Sequence, residues 1–335
     1  FSSAIPRRCT RLQVGSSSRC RHTVVTAPAA VLAPNASISI AQPSIRAFSS
    51  MPPPPTAEPP NSDGIRPPTS LTTDAGLGAQ DAMKLFIQHG IGKQKLQQIA
   101  AEKGTSPLVD RWQKMVATYL ETQCHVIALL GYRPDERGIA LYTQHLSEAL
   151  ALSSPEIQER LRVAGRDTYR MVLGAAFDMP SLVDDAESKG ELSVVDARNI
   201  MHKVSMRMQE ADVLEKVARE CAASVALDDS PEAQQIDLAR KHTVVQQVMV
   251  TDVYLAEGGG SEGKASLIRE CGFGEGEEGY VRMQSAMAEH QGDPLITQYV
   301  GAAMVKLLQS AGIDMAALQK QAQEPQASES LFVQK

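Results

Sequence analysis

Apolar positions recur at helical spacing along most of the chain, and the longest such run lies between Ser193 and Val225. Ser193 is a good N-cap residue with Asp196 three positions on. Apolar side chains then fall at Ala197, Met201, Val204, Met208, Ala211, Leu214, Ala218, Cys221 and Val225. Steps of three and four keep one face apolar and predict a helix about 50 Å long, at roughly 1.5 Å per residue. One extra step of three overwinds the seam locally. Asp228-Asp229-Ser230-Pro231 turns the chain. The return arm starts at Ser230-Pro231-Glu232, carries Ile236, Ala239, Val244, Val245, Val248, Met249, Val253 and Leu255, and stops at Gly258-Gly259-Gly260. Together the two arms form a long central hairpin over about 193–257.

The rest of the chain follows the same rules. Residues 80–88 and 93–102 read as two short helices separated by Gly90 and Gly92. Ser106-Pro107 opens a longer one through Val109, Trp112, Val116, Leu120, Cys124 and Ile127 to Gly131. A tight turn leads into a helix from Pro134 to Leu152, which implies an antiparallel pair. Ser154-Pro155-Glu156 starts another helix, to about Phe177, and Pro180 permits a short one over 182–188, closed by Gly190. Beyond the hairpin, Gly258 to Gly263 is a break, Lys264 to Cys271 a short helix and Gly272 to Gly279 a loop rich in glycine and glutamate. Asp293-Pro294 opens a last strong helix, Leu295 to Ala311, closed by Gly312; Asp314 caps a final short one, and 324–335 is a frayed tail.

Thr243 to Leu255 is valine-rich enough for a buried strand. Its length, its in-register Ser-Pro-Glu start and the lack of a partner strand favour helix. The fold class expected is therefore all-α: an irregular stack of antiparallel helical hairpins behind a disordered or extended N-terminal arm. Helix starts at Ser106, Ser154, Ser193 and Ser230 are unevenly spaced, and no side-chain signature repeats between them, which disfavours a regular solenoid. The organisation expected is a transit-like segment (1–48), a proline-rich arm (49–76), two helical blocks (77–190 and 191–323) and the tail.

Charge enters through the first segment. Residues 1–48 hold six arginines, no lysine and no acid, among many Ser, Ala and Thr. This bias resembles a mitochondrial transit peptide, and Arg46-Ala47-Phe48-Ser49-Ser50 is similar to a matrix-protease cleavage site. Without that segment Lys plus Arg falls from 33 to 27 while Asp plus Glu stays at 39, so the formal net charge moves from −6 to −12. Such acidity disfavours nucleic-acid partners. No run of apolar residues is long enough for a transmembrane helix. Cys124, Cys221 and Cys271, the three cysteines beyond the first segment, cannot all pair, which suits a reducing compartment.

Candidate chemistry is sparse. Gly274-Glu275-Gly276-Glu277-Glu278-Gly279 matches GxGxxG, but a helical pattern precedes it and three glutamates sit where an anion would approach, so a mobile acidic loop is expected. His89, His125, His145, His202, His242 and His290 are dispersed, and no zinc or di-iron spacing occurs. Cys124 and His125, with His145, are the nearest approach to a catalytic cluster. Asp184-Asp185 and Asp228-Asp229 read as turn or first-turn carboxylates. Met201, Met206 and Met208, with Met249, read as core filling ahead of an adaptable binding patch. Aromatic residues make up only 4 % of the chain, few for a cofactor pocket.

No catalytic, cofactor-binding or metal-ligating residue is therefore assigned. The expected function is a non-catalytic accessory or structural subunit of a mitochondrial inner-membrane assembly, in the peripheral region of the ATP synthase or in a respiratory complex. Such a subunit has other protein subunits as partners and lies on the matrix side or peripheral to the membrane. The alternatives are a soluble matrix adaptor or assembly factor, an acidic mitoribosomal protein, and an enzyme of an unrecognised helical kind built on Cys124, His125 and His145.

Overall fold

A computed structural model describes residues 68–184, 192–223, 230–256, 266–290 and 292–314. The first 48 residues, most of the proline-rich arm, Asp185, Asp228-Asp229, Gly258 to Gly263, the final short helix and the tail lie outside the described residues. The fold is all-α, as the periodicity predicts, with no strand among the described residues. In chain order the helices are α1 (Thr73–His89), α2 (Ile91–Ala101), α3 (Leu108–Leu129), α4 (Glu136–Ala151), α5 (Pro155–Ala176), α6 (Ser181–Asp184), α7 (Val194–Met208), α8 (Ala211–Ala222), α9 (Pro231–Val248), α10 (Leu267–Glu270), α11 (Gly276–Met287) and α12 (Pro294–Ser310). A π-turn, Met249–Tyr254, extends α9, and a 3₁₀ turn, Ala288–His290, extends α11.

Most starts are set by local chemistry. Ser154, Ser193 and Ser230 each accept a backbone N–H of their first turn, from Ile157, Asp196 and Ala233, and Asp293 accepts those of Leu295 and Ile296. These caps satisfy amides that have no partner within the helix. Ser106 does not act this way, because Pro107 occupies the cap position of α3. The first helix begins at Thr73, earlier than its apolar pattern, since Thr72 caps it by accepting the Ala75 N–H at 3.2 Å.

The central hairpin is shorter than its periodicity implies. Its first arm is not one helix: Glu210 takes an extended conformation (φ −65°, ψ 142°) and divides α7 from α8. The break falls where two steps of three adjoin, at Met208, Ala211 and Leu214. A continuous helix would have to overwind there, and the chain resets its phase instead. Beyond the break Val213, Val217 and Cys221 are buried, whereas Ala211 and Ala218 are exposed. The antiparallel hairpin is α8 against α9, with Arg240 Nη2 donating to the Cys221 carbonyl at 2.7 Å and Lys216 Nζ meeting Asp252 at 2.8 and 3.0 Å. The valine-rich stretch is helical. It ends at Ala256 in a left-handed conformation (φ 56°), before the glycines, and Ile236 is exposed.

A second departure lies at Gly272 to Gly279. The acidic loop expected there is the lead-in and first turn of α11, whose Tyr280, Val281, Met283 and Met287 are core residues. Glycine content hid this helix from propensity reasoning. α11 joins the two halves of the chain: Tyr280 packs edge-on to Trp112 of α3 (ring centroids 5.1 Å apart) and to Tyr254 of the π-turn (5.3 Å). Glu277 pairs with Arg111, which is 1 % exposed. Just beyond, Glu289 is held by Arg162, Arg166 and Arg170 of α5 at 3.0–3.3 Å. One continuous apolar core results, from Ala79 to Ile313.

Candidate interaction surface

α7 and α12 lie side by side and run in the same direction. Arg198 bonds Asp293, His202 packs on Tyr299 (ring centroids 5.2 Å), the Ser205 hydroxyl donates to the Tyr299 carbonyl at 3.0 Å, and Lys306 Nζ donates to Gln209 Oε1. Partner numbers rise together along both helices, so the pair is parallel. The inner faces are core: Ala197, Val204 and Met208 on α7, and Ala303, Leu307 and Leu308 on α12, are all buried.

The outer faces carry exposed apolar residues among polar ones. On α7, Val195, Asn199, His202 and Met206 share one stripe at i, i+4, i+7 and i+11, so the apolar side chains stand at its two ends with polar ones between. Val195 is 60 % and Met206 59 % exposed. On α12, Leu295, Tyr299 and Ala302 form the matching stripe, with Leu295 38 % exposed and Tyr299 half-buried beneath His202. Because His202 meets Tyr299, the two stripes adjoin and make one continuous strip. Single exposed apolar residues need no explanation; an aligned set on two packed helices makes this face the candidate contact surface of the described residues. On the other flank of α7 a cleft of about 500 Å³ is lined by Leu192, Asp196, Asn199, His202, Lys203 and Cys271. Burial pushes the Cys271 thiol up in pKa, with Lys203 opposing the shift.

A smaller groove of about 270 Å³ separates the α1–α2 corner from α3. Phe86 stacks on His125 (6.2 Å, 17° between planes), Ile91 is 60 % exposed, and Lys95 pairs with Glu121 at the rim. Gly92 permits the approach, since a Cβ there would lie 3.1 Å from the Phe86 carbonyl oxygen. The walls are largely apolar and suit contact more than chemistry.

The residues singled out as a possible catalytic cluster do not converge. His145 is buried with Nδ1 at 2.9 Å from the Tyr132 hydroxyl. His125 lies against Phe86 on the groove side of α3. The Cys124 thiol is pushed up to about 11 by burial first and then by Asp135, Glu121 and Glu136. A thiol in that setting is protonated at neutral pH and a weak nucleophile. No hydrogen bond among the described residues links the three.

The GxGxxG stretch has a packing explanation. Gly274 and Gly276 have φ of 97° and 59°, a region that favours glycine. A Cβ on Gly279 would meet Ile268 Cγ2 at 2.7 Å and the Gly274 carbonyl carbon at 3.0 Å. The turn is thus filled by its own backbone, and Glu277 faces Arg111. Among the methionines, Met208 and Met249 are core, whereas Met206 is on the surface. The remaining histidines stay apart: His242 is buried on α9, and His290 Nε2 donates to the Leu192 carbonyl at 2.8 Å. Among the described residues no group of His, Cys, Asp and Glu could hold a metal ion, and no helix is long and apolar enough to cross a membrane.

Periodicity alone missed the strip. In the sequence Met206 is one of three closely spaced methionines, and Val195 and Leu295 lie beside helix starts, so neither spacing nor composition marks them as one surface. No protein-family model, curated protein or solved structure matches the chain.

Proposed function

We propose that the chain is a non-catalytic accessory or structural subunit of a large mitochondrial inner-membrane assembly, in the peripheral region of the ATP synthase or in a respiratory complex. The observation that carries the reading is the strip over α7 and α12 that leaves Val195, Met206 and Leu295 exposed on a parallel pair whose opposite faces are core. A subunit that binds through a preformed helical face loses little conformational entropy on docking. The acid-free, arginine-rich segment before residue 49 supports the mitochondrial address, and the acidic balance of the remainder supports protein partners over nucleic acid.

The test is blue-native separation of detergent-solubilised mitochondria, with mass spectrometry of each band for peptides of this chain and for its processed N-terminus. Stoichiometric migration with ATP synthase or respiratory subunits after a salt wash is the expected result. A stable monomer, absent from every inner-membrane complex, would end the proposal.

A further inference from the structure

The groove between the α1–α2 corner and α3 lies close to the point where the described chain begins. Pro68, the first described residue, has its Cγ 3.6 Å from the position a Cβ on Gly131 would take, so the N-terminal entry stands at the C-terminal end of α3. Leu71, three residues on, packs against the core and pins that entry. Along the α3 axis His125 is about 9 Å back from Gly131, and Thr118 roughly 20 Å, at ~1.5 Å per residue. Leu129, 72 % exposed, stands four residues after His125 and shares its face of the helix. An apolar path therefore leads from Pro68 past Leu129 to Phe86, His125 and Ile91 in the groove.

We infer that residues 61–67 of this same chain occupy that path, with the Ile65 side chain seated against Phe86, Ile91 and His125. Reach selects this segment first. Pro67 and Pro68 fix their own φ, and each biases the residue before it to extended backbone, so the chain leads straight away from Pro68. Ile65 then falls about 10 Å from Pro68, at ~3.3 Å per residue, which is the level of His125. Composition selects it next: apart from prolines, Ile65 is the one aliphatic side chain larger than alanine between Met51 and Leu71. Charge agrees, since Asp63 and Arg66 cancel within the segment just as Lys95 and Glu121 pair at the groove rim. The stretch of α3 that walls the groove, Thr118 to His125, covers about 10 Å, room for a few extended residues and too little for a helix of several turns. A segment tethered this closely acts at an effective concentration of millimolar order, so it holds the groove against dilute partners without high intrinsic affinity. The inference stands apart from the subunit reading above.

The experiment uses the full chain with the photo-crosslinker p-benzoylphenylalanine in place of Ile91 and, in a second protein, in place of Leu129, both exposed positions. A third protein carries it at Leu152, 91 % exposed at the end of α4, as the control for random collisions. Light and heavy isotope-labelled copies are mixed before irradiation, adducts are mapped by mass spectrometry, and an unchanged far-UV circular dichroism spectrum qualifies each protein. Adducts to residues 61–67 within one copy are expected from Ile91 and from Leu129, and few from Leu152. Ile65→Asp should lower their yield at least about fivefold, because a charge then replaces the apolar side chain that seats in the groove. Absence of such adducts from both groove positions, an equal yield from Leu152, or indifference to Ile65→Asp overturns the inference. So do adducts that predominantly join light to heavy copies, since the groove would then belong to a second copy. The native-gel result is independent, because a groove filled by the chain's own segment is compatible with membership of an assembly and with its absence.

Discussion

Arg111 is 1 % exposed, pairs with Glu277 and lies 5.5 Å over the Phe177 ring. Its Nε and Nη1, and Glu277 Oε1, are buried with no hydrogen-bond partner. A buried ion pair of this kind stabilises little by itself, yet removing one member strands the other charge. Arg111→Met is therefore expected to lower stability by about 3–5 kcal/mol, and Arg111→Met/Glu277→Leu to recover at least half of it. Urea unfolding midpoints of the three proteins check this; a double variant no better than the single would mean that shape, not charge, governs the site. Asp293 is a second informative residue. The Arg198 hydrogen bonds first, then the amides of Ile296 and Leu295, hold its carboxyl down to about 2. An unfolded aspartate titrates near 4, on the order of two units higher. The folded pKa is depressed, so the contribution is fully present above about pH 4 and is lost as pH falls through about 2. Melting temperatures of the parent and Asp293→Asn should accordingly differ at neutral pH and converge in that acid window.

Among the elements, α7 illustrates how one helix carries both a core face and a contact face. Met208 is 0 % exposed against α12, whereas Met206, two positions earlier, is 59 % exposed. Truncation of a buried methionine removes its transfer free energy and leaves a cavity, so Met208→Ala should cost about 2–5 kcal/mol. Met206→Ala should fall within about 0.5 kcal/mol of the parent. Thermal or urea unfolding of both variants makes the comparison, and equal losses would mean that Met206 is covered in the free protein. α9 carries a related asymmetry. His242 is buried with both ring nitrogens lacking a hydrogen-bond partner, and burial lowers its pKa. A histidine depressed in the fold stabilises it fully above the unfolded value near 6.5, and that contribution is lost as pH falls through the folded pKa. His242→Leu should therefore flatten the stability profile on the acid side of neutrality.

Taken as a whole molecule, the two sequence halves share one core and meet at α11. Trp112, the single tryptophan, stands at this junction, 5.1 Å from Tyr280 and 5.6 Å from Phe177. Its fluorescence therefore reports the junction, while far-UV circular dichroism reports all the helices. A shared core predicts one cooperative transition with coincident curves from the two probes. A tryptophan transition that precedes the loss of helix would instead mark two units that separate before they unfold.

The class of the fold and most helix starts were legible in the sequence, because caps and periodicity act between residues three or four apart and need no tertiary partner. Ser154, Ser193, Ser230 and Asp293 each begin a helix through a bond to their own first turn. What only the tertiary structure decided depends on contacts between distant residues. Gly276 begins a helix against its propensity because Tyr280 and Val281 find a core and Glu277 finds Arg111. The break at Glu210 separates α7 from α8, and α8 pairs with α9. The apolar strip exists because α7 and α12, about a hundred residues apart in sequence, lie parallel with their outer stripes in line. Which face of an amphipathic helix is left for a partner is settled by which faces the fold has already used, and local spacing carries no record of that.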